Sequence, residues 1–373
     1  MSVYGRIEAI LLEGYSFVDV EGISQIKSIA DALECELVVF FVFDNSYKTI
    51  ENAESLTKYY KLLKEEYKTT SDYWSELYFK IFKKIGVEKF TLFIQFESAI
   101  INSKTPLSLS YGGDKFIVQE GGDLTTLDSK NINENTRTLI TWLKENGYIS
   151  AIEYSAEYIA NGNIIEENDF VIVGRNEILK RSFLKSVFEK EKAEKDILYV
   201  GPECCEDHIF YHPSFYFYHI DLYLMYVGKI KGKHHFLIAE ILDEIIAMNK
   251  GIGQYENLMI VQTQLKLEKQ RLENAGYDVT TVPLLYYGTS LYPYLNGLVE
   301  IVSDDKKSIY LPSYKFDDTI LETLNKKYLE DFKTKAKNLG FKTILTADFT
   351  TQIDQLGALH CAVNILRRSK SKT

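Results

Sequence analysis

The 373-residue chain is poor in cysteine and proline, with four of one and six of the other. Cys35, Cys204, Cys205 and Cys361 are too few for a disulfide framework, and the adjacency of Cys204 and Cys205 suits neither two independent bridges nor C-x-x-C metal spacing. No Pro- or Ser-rich linker interrupts the chain, so a single domain is expected over 1–366. No apolar stretch approaches the ~18 residues needed to cross a bilayer. The opening Met1-Ser2-Val3-Tyr4-Gly5-Arg6 lacks the charged start and cleavage region of a signal peptide, and Glu13 breaks the apolar run that follows. These absences predict a soluble, reduced, cytoplasmic protein with no membrane partner. Positive charge is also short: 43 Lys and Arg face 53 Asp and Glu, a net charge of −10 that argues against nucleic-acid binding. A cationic substrate fits that balance. What the chain does have is 46% hydrophobic residues, enough for a sizeable core.

A punctuation mark recurs along the chain. An amphipathic stretch ends in Gly and a β-branched or aromatic run follows: Gly86 before Phe90 to Ile94, Gly147 before Ile149 to Tyr154, Gly276 before Val279 to Leu285, and Gly340 before Thr343 to Ala347. Gly just past a helix supplies the left-handed position that ends it, and a strand then begins. Ile23 to Leu33 before Glu36 to Phe43, and Phe183 to Lys195 before Ile197 to Val200, have the same shape without the Gly. The pattern predicts a repeated α/β module. Solenoid repeats are more alike than these segments, so a closed ring of modules around a shared site is the better reading. Lys48 to Phe82 reads as a helical insertion with a solvated charged face, and 367–373 as a disordered basic tail.

Few residues are equipped for chemistry. Cys361 follows Gly357-Ala358-Leu359-His360, and Ala362 to Leu366 resembles the start of a buried element. A thiol in such a place is ordinarily a small buried hydrophobe, and becomes a nucleophile where nearby positive charge lowers its pKa. Its neighbour His360 is a poor partner on an extended chain, where adjacent side chains point to opposite faces. Among the other histidines, His208 and His212 flank a loop and His234-His235 are expected in a hairpin turn. His219 differs because it opens a strand-like run, His219 to Val227, in which period-two spacing puts His219 and Asp221 on one face about 6.5–7 Å apart. Asn161-Gly162-Asn163 reads alone as a hairpin turn. No metal-ligand or calcium-loop spacing is visible in His234-His235, Cys204-Cys205 or elsewhere, so neither metal nor cofactor is expected.

In chain order, Gly162-Asn163, His219-x-Asp221, Asn296 with Pro312-Ser313-Tyr314, and Leu359-His360-Cys361 resemble the motifs of the pentein superfamily of guanidino-group-modifying enzymes. That superfamily includes arginine, agmatine and peptidyl-arginine deiminases, dimethylarginine hydrolases and amidinotransferases. The resemblance covers about residues 90 to 366 and implies a five-bladed α/β propeller of ββαβ modules around a central site. It implies Cys361 as nucleophile, His219 as acid and base, and Asp221 as a carboxylate for the guanidinium. Asn163 and Asn296 would line the substrate site. Two positions depart from the pattern. Ala160 stands where many members have an acid, and the first-module Arg-Asp is missing, which leaves Asp114, or Asp123, as its replacement.

A guanidinium is planar, cationic and a poor electrophile, so attack on it calls for a thiolate, carboxylates and a proton donor together. The expected function is therefore a cysteine-dependent deiminase acting on arginine or an arginine derivative, small or peptidyl, through a covalent thiouronium. An amidinotransferase, in which an amine replaces water, is the alternative. A non-catalytic member that only binds a partner is a second one, against which the joint presence of His219, Asp221 and Cys361 counts. A papain-like thiol hydrolase would place its Cys before its His, the reverse of the order here. The oligomeric state is left open.

Overall fold

In the computed structural model of the chain, all four glycines read as helix terminators have positive φ: 83° at Gly86, 74° at Gly147, 88° at Gly276 and 91° at Gly340. Each closes its helix in the same way, the following residue donating to a carbonyl five positions back: Val87 to Phe82, Tyr148 to Leu143, Tyr277 to Leu272 and Phe341 to Ala336. The structure describes residues 3–13, 20–44, 71–97, 107–111, 115–119, 139, 141–148, 151–155, 161–167, 169–175, 196–201, 219–252, 254–288, 290–350 and 358–369. Asp114, Asp123, Cys204, Cys205, His208, His212, Phe183 to Lys195 and the part of the expected insertion before Ser71 lie outside them.

The described residues form two compact units. One spans Ile7–Tyr158 and Ala362–Ser369. It holds strands β1 (Ile7–Glu13), β2 (Glu36–Asp44) and β3 (Phe90–Glu97), with helices α1 (Val20–Leu33) and α2 (Ser71–Lys84). It also holds β4 (Leu107–Tyr111), β5 (Lys115–Gln119) and β6 (Ala151–Ser155). The other spans Met1–Arg6, Ile159–Cys361 and Lys370–Thr373. Its strands begin with β7 (Ile164–Glu166), β8 (Phe170–Gly174) and β9 (Asp196–Val200). Next come β10 (Leu224–Ile230), β11 (Lys233–Glu240), helices α3 (Asp243–Asn249) and α4 (Tyr255–Asn274), and β12 (Asp278–Pro283). A small hairpin, β13 (Leu285–Tyr287) and β14 (Ser290–Tyr292), precedes β15 (Leu298–Ser303), β16 (Lys306–Ser313), helix α5 (Thr319–Asn338) and β17 (Thr343–Asp348).

The repeated module is visible in the sheets. In β4-β5-β6, β7-β8-β9, β10-β11-β12 and β15-β16-β17 an antiparallel hairpin is joined by a third strand parallel to its second member. A parallel return needs a crossover, and α4 and α5 supply it in the last two modules. The fifth sheet, β18-β1-β2-β3, makes its antiparallel pair from the two ends of the chain, β1 against β18 (Val363–Arg368), and β2 then runs parallel to β1. The architecture is mixed α/β, as expected. Arg367 and Arg368 therefore belong to a strand, Arg368 opposite Ile7, rather than to the basic tail predicted from 367 onward. Their charges do not prevent pairing because a strand needs only backbone partners, and Arg367 finds Glu8 at 3.1 Å.

Buried side chains continue through successive residues of a strand as well as on alternate ones. Phe170 to Val173 and Leu224 to Val227 are all buried, which marks strands covered on both faces. The turn between β10 and β11 places Lys231 and Gly232 at φ 52° and 82°, the paired positive φ values of a type I′ hairpin. His234 and His235 thus lie on β11 itself and not in the turn. His235 is buried with Nε2 2.9 Å from Thr280 Oγ1, and His234 joins Tyr226 Oη and Asp169 Oδ2, each at 2.8 Å. Both histidines are used in packing.

Candidate active site

The motif residues that the structure describes come together in the second unit. Asn161–Asn163 forms a single 3₁₀ turn leading into β7, rather than the hairpin turn that Asn-Gly suggests. Its fully buried Asn163 accepts the Ile220 N–H through Oδ1 at 2.9 Å. That bond explains a second departure. His219 to Val227 is not one strand: Ile220–Leu222 is another 3₁₀ turn capped by His219, and β10 begins only at Leu224. A side-chain acceptor offered to the Ile220 amide competes with the sheet ladder and curls the chain. The turn still carries His219 and Asp221 to one place, by curvature instead of by pleat.

Gly162 makes that place possible. A Cβ on it would fall 2.6 Å from His219 Nδ1 and 2.8 Å from Asp221 Oδ1, so the backbone of one turn rests directly on the imidazole and carboxylate of the other.

Asn296, fully buried, organises the third and fourth segments. Its Oδ1 accepts the amides of Ala358 and Cys361 at 2.9 and 3.1 Å, and its own carbonyl accepts the His360 amide at 3.0 Å. Its Nδ2 donates to Cys361 Sγ at 3.1 Å and, more weakly, to the Asp221 carbonyl at 3.4 Å. One amide side chain thereby holds the backbone around the cysteine and touches its sulfur. Asn296→Asp would keep the acceptor and turn the donor into a carboxylate facing a carbonyl and a sulfur. It is expected to cost about 3 kcal/mol of stability, read from denaturant melts, and to remove any activity that depends on Cys361.

The result is a compact cluster in which one atom each from His219, Asp221 and Cys361 lies within 4.8 Å of the others. His219 and Asp221 are buried at 5% and 6% exposure, whereas Cys361 is exposed, so a reagent can reach the sulfur while its partners stay dry. Among the described residues, no other group of three His, Cys, Asp or Glu residues brings its donor atoms so close. The expectation of no metal rested on sequence spacing, which does not reach this trio assembled from distant segments.

His360 corrects the sequence reading. Leu359–Ala362 is a short helix, α6, so adjacent side chains diverge by about 100° and not 180°. Both His360 Nδ1 and the Cys361 thiol reach the same atom, Asp221 Oδ2, at 2.7 and 3.3 Å. Burial works to raise the Asp221 pKa. The His360 hydrogen bond and charge, the His219 charge and the thiol hydrogen bond outweigh it and hold the carboxyl below its ordinary range. Asp221 is a carboxylate at neutral pH.

Pro312-Ser313-Tyr314 ends β16, where Ser313 Oγ donates to the Ala347 carbonyl and not into the cluster. Tyr314 is buried, its ring against Tyr292 and Tyr294. Burial first, then the charges of Tyr294, Cys361 and Tyr292, push its pKa well above the usual value. Its hydroxyl has no hydrogen-bond partner among the described residues. Tyr314→Phe is thus expected to leave thermal stability unchanged or to raise it by up to about 1 kcal/mol, because no bond is lost and a buried unpaired hydroxyl is removed.

No protein-family model and no curated protein sequence matches the chain. Its likeness is to solved structures. The agmatine deiminase of C. jejuni aligns with a TM-score of 0.59 at 14% identity, over 100% of this chain and 96% of that one. The agmatine deiminase of Enterococcus faecalis aligns at 0.55 with 10% identity, over 97% and 94% of the two chains. At such identities the likeness is one of fold, and the fold is that of the penteins. Among the described residues no helix is long and apolar enough to cross a membrane.

Proposed function

We propose that the protein is a cysteine-dependent hydrolase acting on the guanidinium group of arginine or an arginine derivative. The observation that carries the reading is the cluster itself: an exposed thiol, a buried carboxylate and a buried imidazole within 4.8 Å. The fold shared with two agmatine deiminases supports it. In this proposal the chain is a five-bladed α/β propeller, as the sequence resemblance implies, and the enzyme works in the reducing cytosol where its thiol stays free.

The chemistry follows from the groups. A guanidinium pairs with the Asp221 carboxylate through charge-assisted N–H bonds. Its positive charge, arriving beside the sulfur, favours transfer of the Cys361 proton, which Asp221 accepts a bond from in the free protein, to His219 within the same cluster. The thiolate attacks the central guanidino carbon and forms a C–S bond. His219 gives a proton to the departing nitrogen, which leaves as ammonia, and a thiouronium remains on Cys361. Neutral His219 then takes a proton from water as the water oxygen adds to the same carbon. The C–S bond breaks, and a ureido product and the free cysteine result. Asn296 Nδ2, 3.1 Å from Sγ, donates to the sulfur while it carries negative charge. Asn163 works at one remove by fixing the turn that bears His219 and Asp221. A second carboxylate for the guanidinium, Asp114 or Asp123, is part of the proposal.

The test is turnover. Incubation with agmatine, arginine, a methylated arginine and an arginine-containing peptide should form ureido product from one of them, with release of ammonia or, from the methylated arginine, of ammonia or the alkylamine. No product from any of the four would refute the assignment. Product that appears only when an amine is added would make the protein an amidinotransferase.

A further inference from the structure

We propose that His360 stands in for the substrate on Asp221 in the free protein and that a guanidinium enters the site by displacing it. The inference rests on the guanidino-modifying reading above.

It comes from the uneven use of the Asp221 carboxylate. Oδ2 accepts two donors, the His360 Nδ1–H at 2.7 Å and the Cys361 thiol at 3.3 Å. Oδ1 is buried and has no hydrogen-bond partner among the described residues. A carboxylate has about four acceptor positions, so one oxygen is full and the other idle. An idle buried oxygen is costly, and its persistence next to a nucleophile is the mark of a site awaiting a donor. A planar guanidinium carries parallel N–H groups that match both oxygens at once.

Geometry brings the guanidinium to the same oxygen that His360 holds. Sγ and Oδ2 are 3.3 Å apart, so a guanidinium that presents its carbon to the sulfur must also bring an N–H to Oδ2. One position there falls vacant when the thiol ionises; His360 holds the other. The approach to Oδ1 is closed on one side by Gly162, whose Cβ position lies 2.8 Å from it. His360 is the outer group: its side chain is 33% exposed against 9% for Asp221, so it has room to turn away. Asp221, on the 3₁₀ turn, faces it directly, and His219 and the Cys361 thiol are the other groups that act on the same carboxylate. Of these only Asp221 accepts a bond from the ring.

An imidazole resembles a guanidinium in being flat and offering N–H donors. By sitting on Asp221 it compensates a buried charge that would otherwise be unsupported in the empty site. The exchange is also selective. A guanidinium carries permanent charge and can displace the ring, whereas a neutral ureido product cannot hold the carboxylate against it, so return of His360 would help expel product.

The experiment uses the full-length Cys361→Ala protein, which binds without turning over, and compares it with Cys361→Ala carrying His360→Ala or His360→Gln. Agmatine, arginine, a methylated arginine and an arginine peptide are titrated into each by calorimetry, and ¹⁵N-labelled imidazoles are followed by NMR. Vacating the position should tighten binding about tenfold, the scale of one hydrogen bond to a charged group. His360→Gln keeps a donor near Asp221 and should fall between. In the protein with His360 intact, its Nδ1–H signal should shift out of the carboxylate-bonded range when ligand is added. Equal or weaker binding after His360→Ala, or an unmoved His360 signal at saturation, would overturn the displacement. Failure of all four ligands to bind any variant would overturn the guanidino reading itself, and the displacement with it.

Discussion

Cys361→Ala is expected to lower turnover of the guanidino substrate by a factor on the order of 10⁴ or more, the loss found when a covalent nucleophile is removed from a concerted site. The fold should survive. Cys361 is exposed, and the backbone around it is held by the Asn296 side chain through the amides of Ala358 and Cys361, which alanine retains. What disappears is the sulfur, with its contacts to Asp221 Oδ2 and Asn296 Nδ2. Melting temperature and circular dichroism should therefore be near wild type while product formation vanishes. Serine in place of Cys361 keeps a donor for Asp221, and should fail equally because its hydroxyl is a far weaker nucleophile at neutral pH. Activity within tenfold of wild type in either variant would show that Cys361 does not carry the chemistry.

The second large effect is expected at a residue with no functional group. Gly162→Ala would place a methyl 2.6 Å from His219 Nδ1, 2.7 Å from His219 Cγ and 2.8 Å from Asp221 Oδ1. Real Cβ atoms do not approach so closely, so the imidazole, the carboxylate or the turn itself must move. None of the three is the free end of a flexible chain. His219 and Asp221 are buried, and the turn is tied to theirs by the bond between Asn163 and Ile220. A stability loss of about 1–3 kcal/mol is the usual cost of overpacking such a site. The loss of activity should be larger in proportion, at least about 100-fold in kcat/KM, because reacting groups displaced by an ångström lose their alignment. A Gly162→Ala protein that keeps full activity would mean that His219 and Asp221 do not act from their present positions.

The legible part of the fold was the part written in local chemistry. Gly86, Gly147, Gly276 and Gly340 announced helix ends because only glycine adopts the left-handed conformation there without strain, and all four do so. The strand that follows each was legible in its β-branched and aromatic residues. The β18–β1 pair was not, since it joins the two ends of the chain and no local pattern encodes so distant a partnership.

The site divides along the same line. His219, Asp221, Asn163, Asn296 and Cys361 stood out by residue type and order. The local geometry that joins His219 to Asp221 did not, because the 3₁₀ turn at Ile220–Leu222 depends on an acceptor from Asn163, 57 positions away. An extended backbone would turn His360 away from the Cys361 side chain, and a single helical turn at Leu359–Ala362 brings both to Asp221. The signal that would have found it is the small-residue run Gly357-Ala358 before Leu359, which suits a close turn as readily as a strand. In sequence Tyr314 is only a neighbour in its motif, since burial of its hydroxyl is a tertiary fact.

The central claim is that Cys361 forms a covalent bond to a guanidino carbon. It is tested most directly by acid-quenching the wild-type protein during reaction with each of the four guanidino compounds, weighing it intact and mapping the modified peptide. The account predicts, with one of them, a mass increase equal to that compound less the departing ammonia or alkylamine, located on Cys361 and absent from Cys35, Cys204 and Cys205. Turnover with no such adduct, or an adduct on any other cysteine, would contradict it.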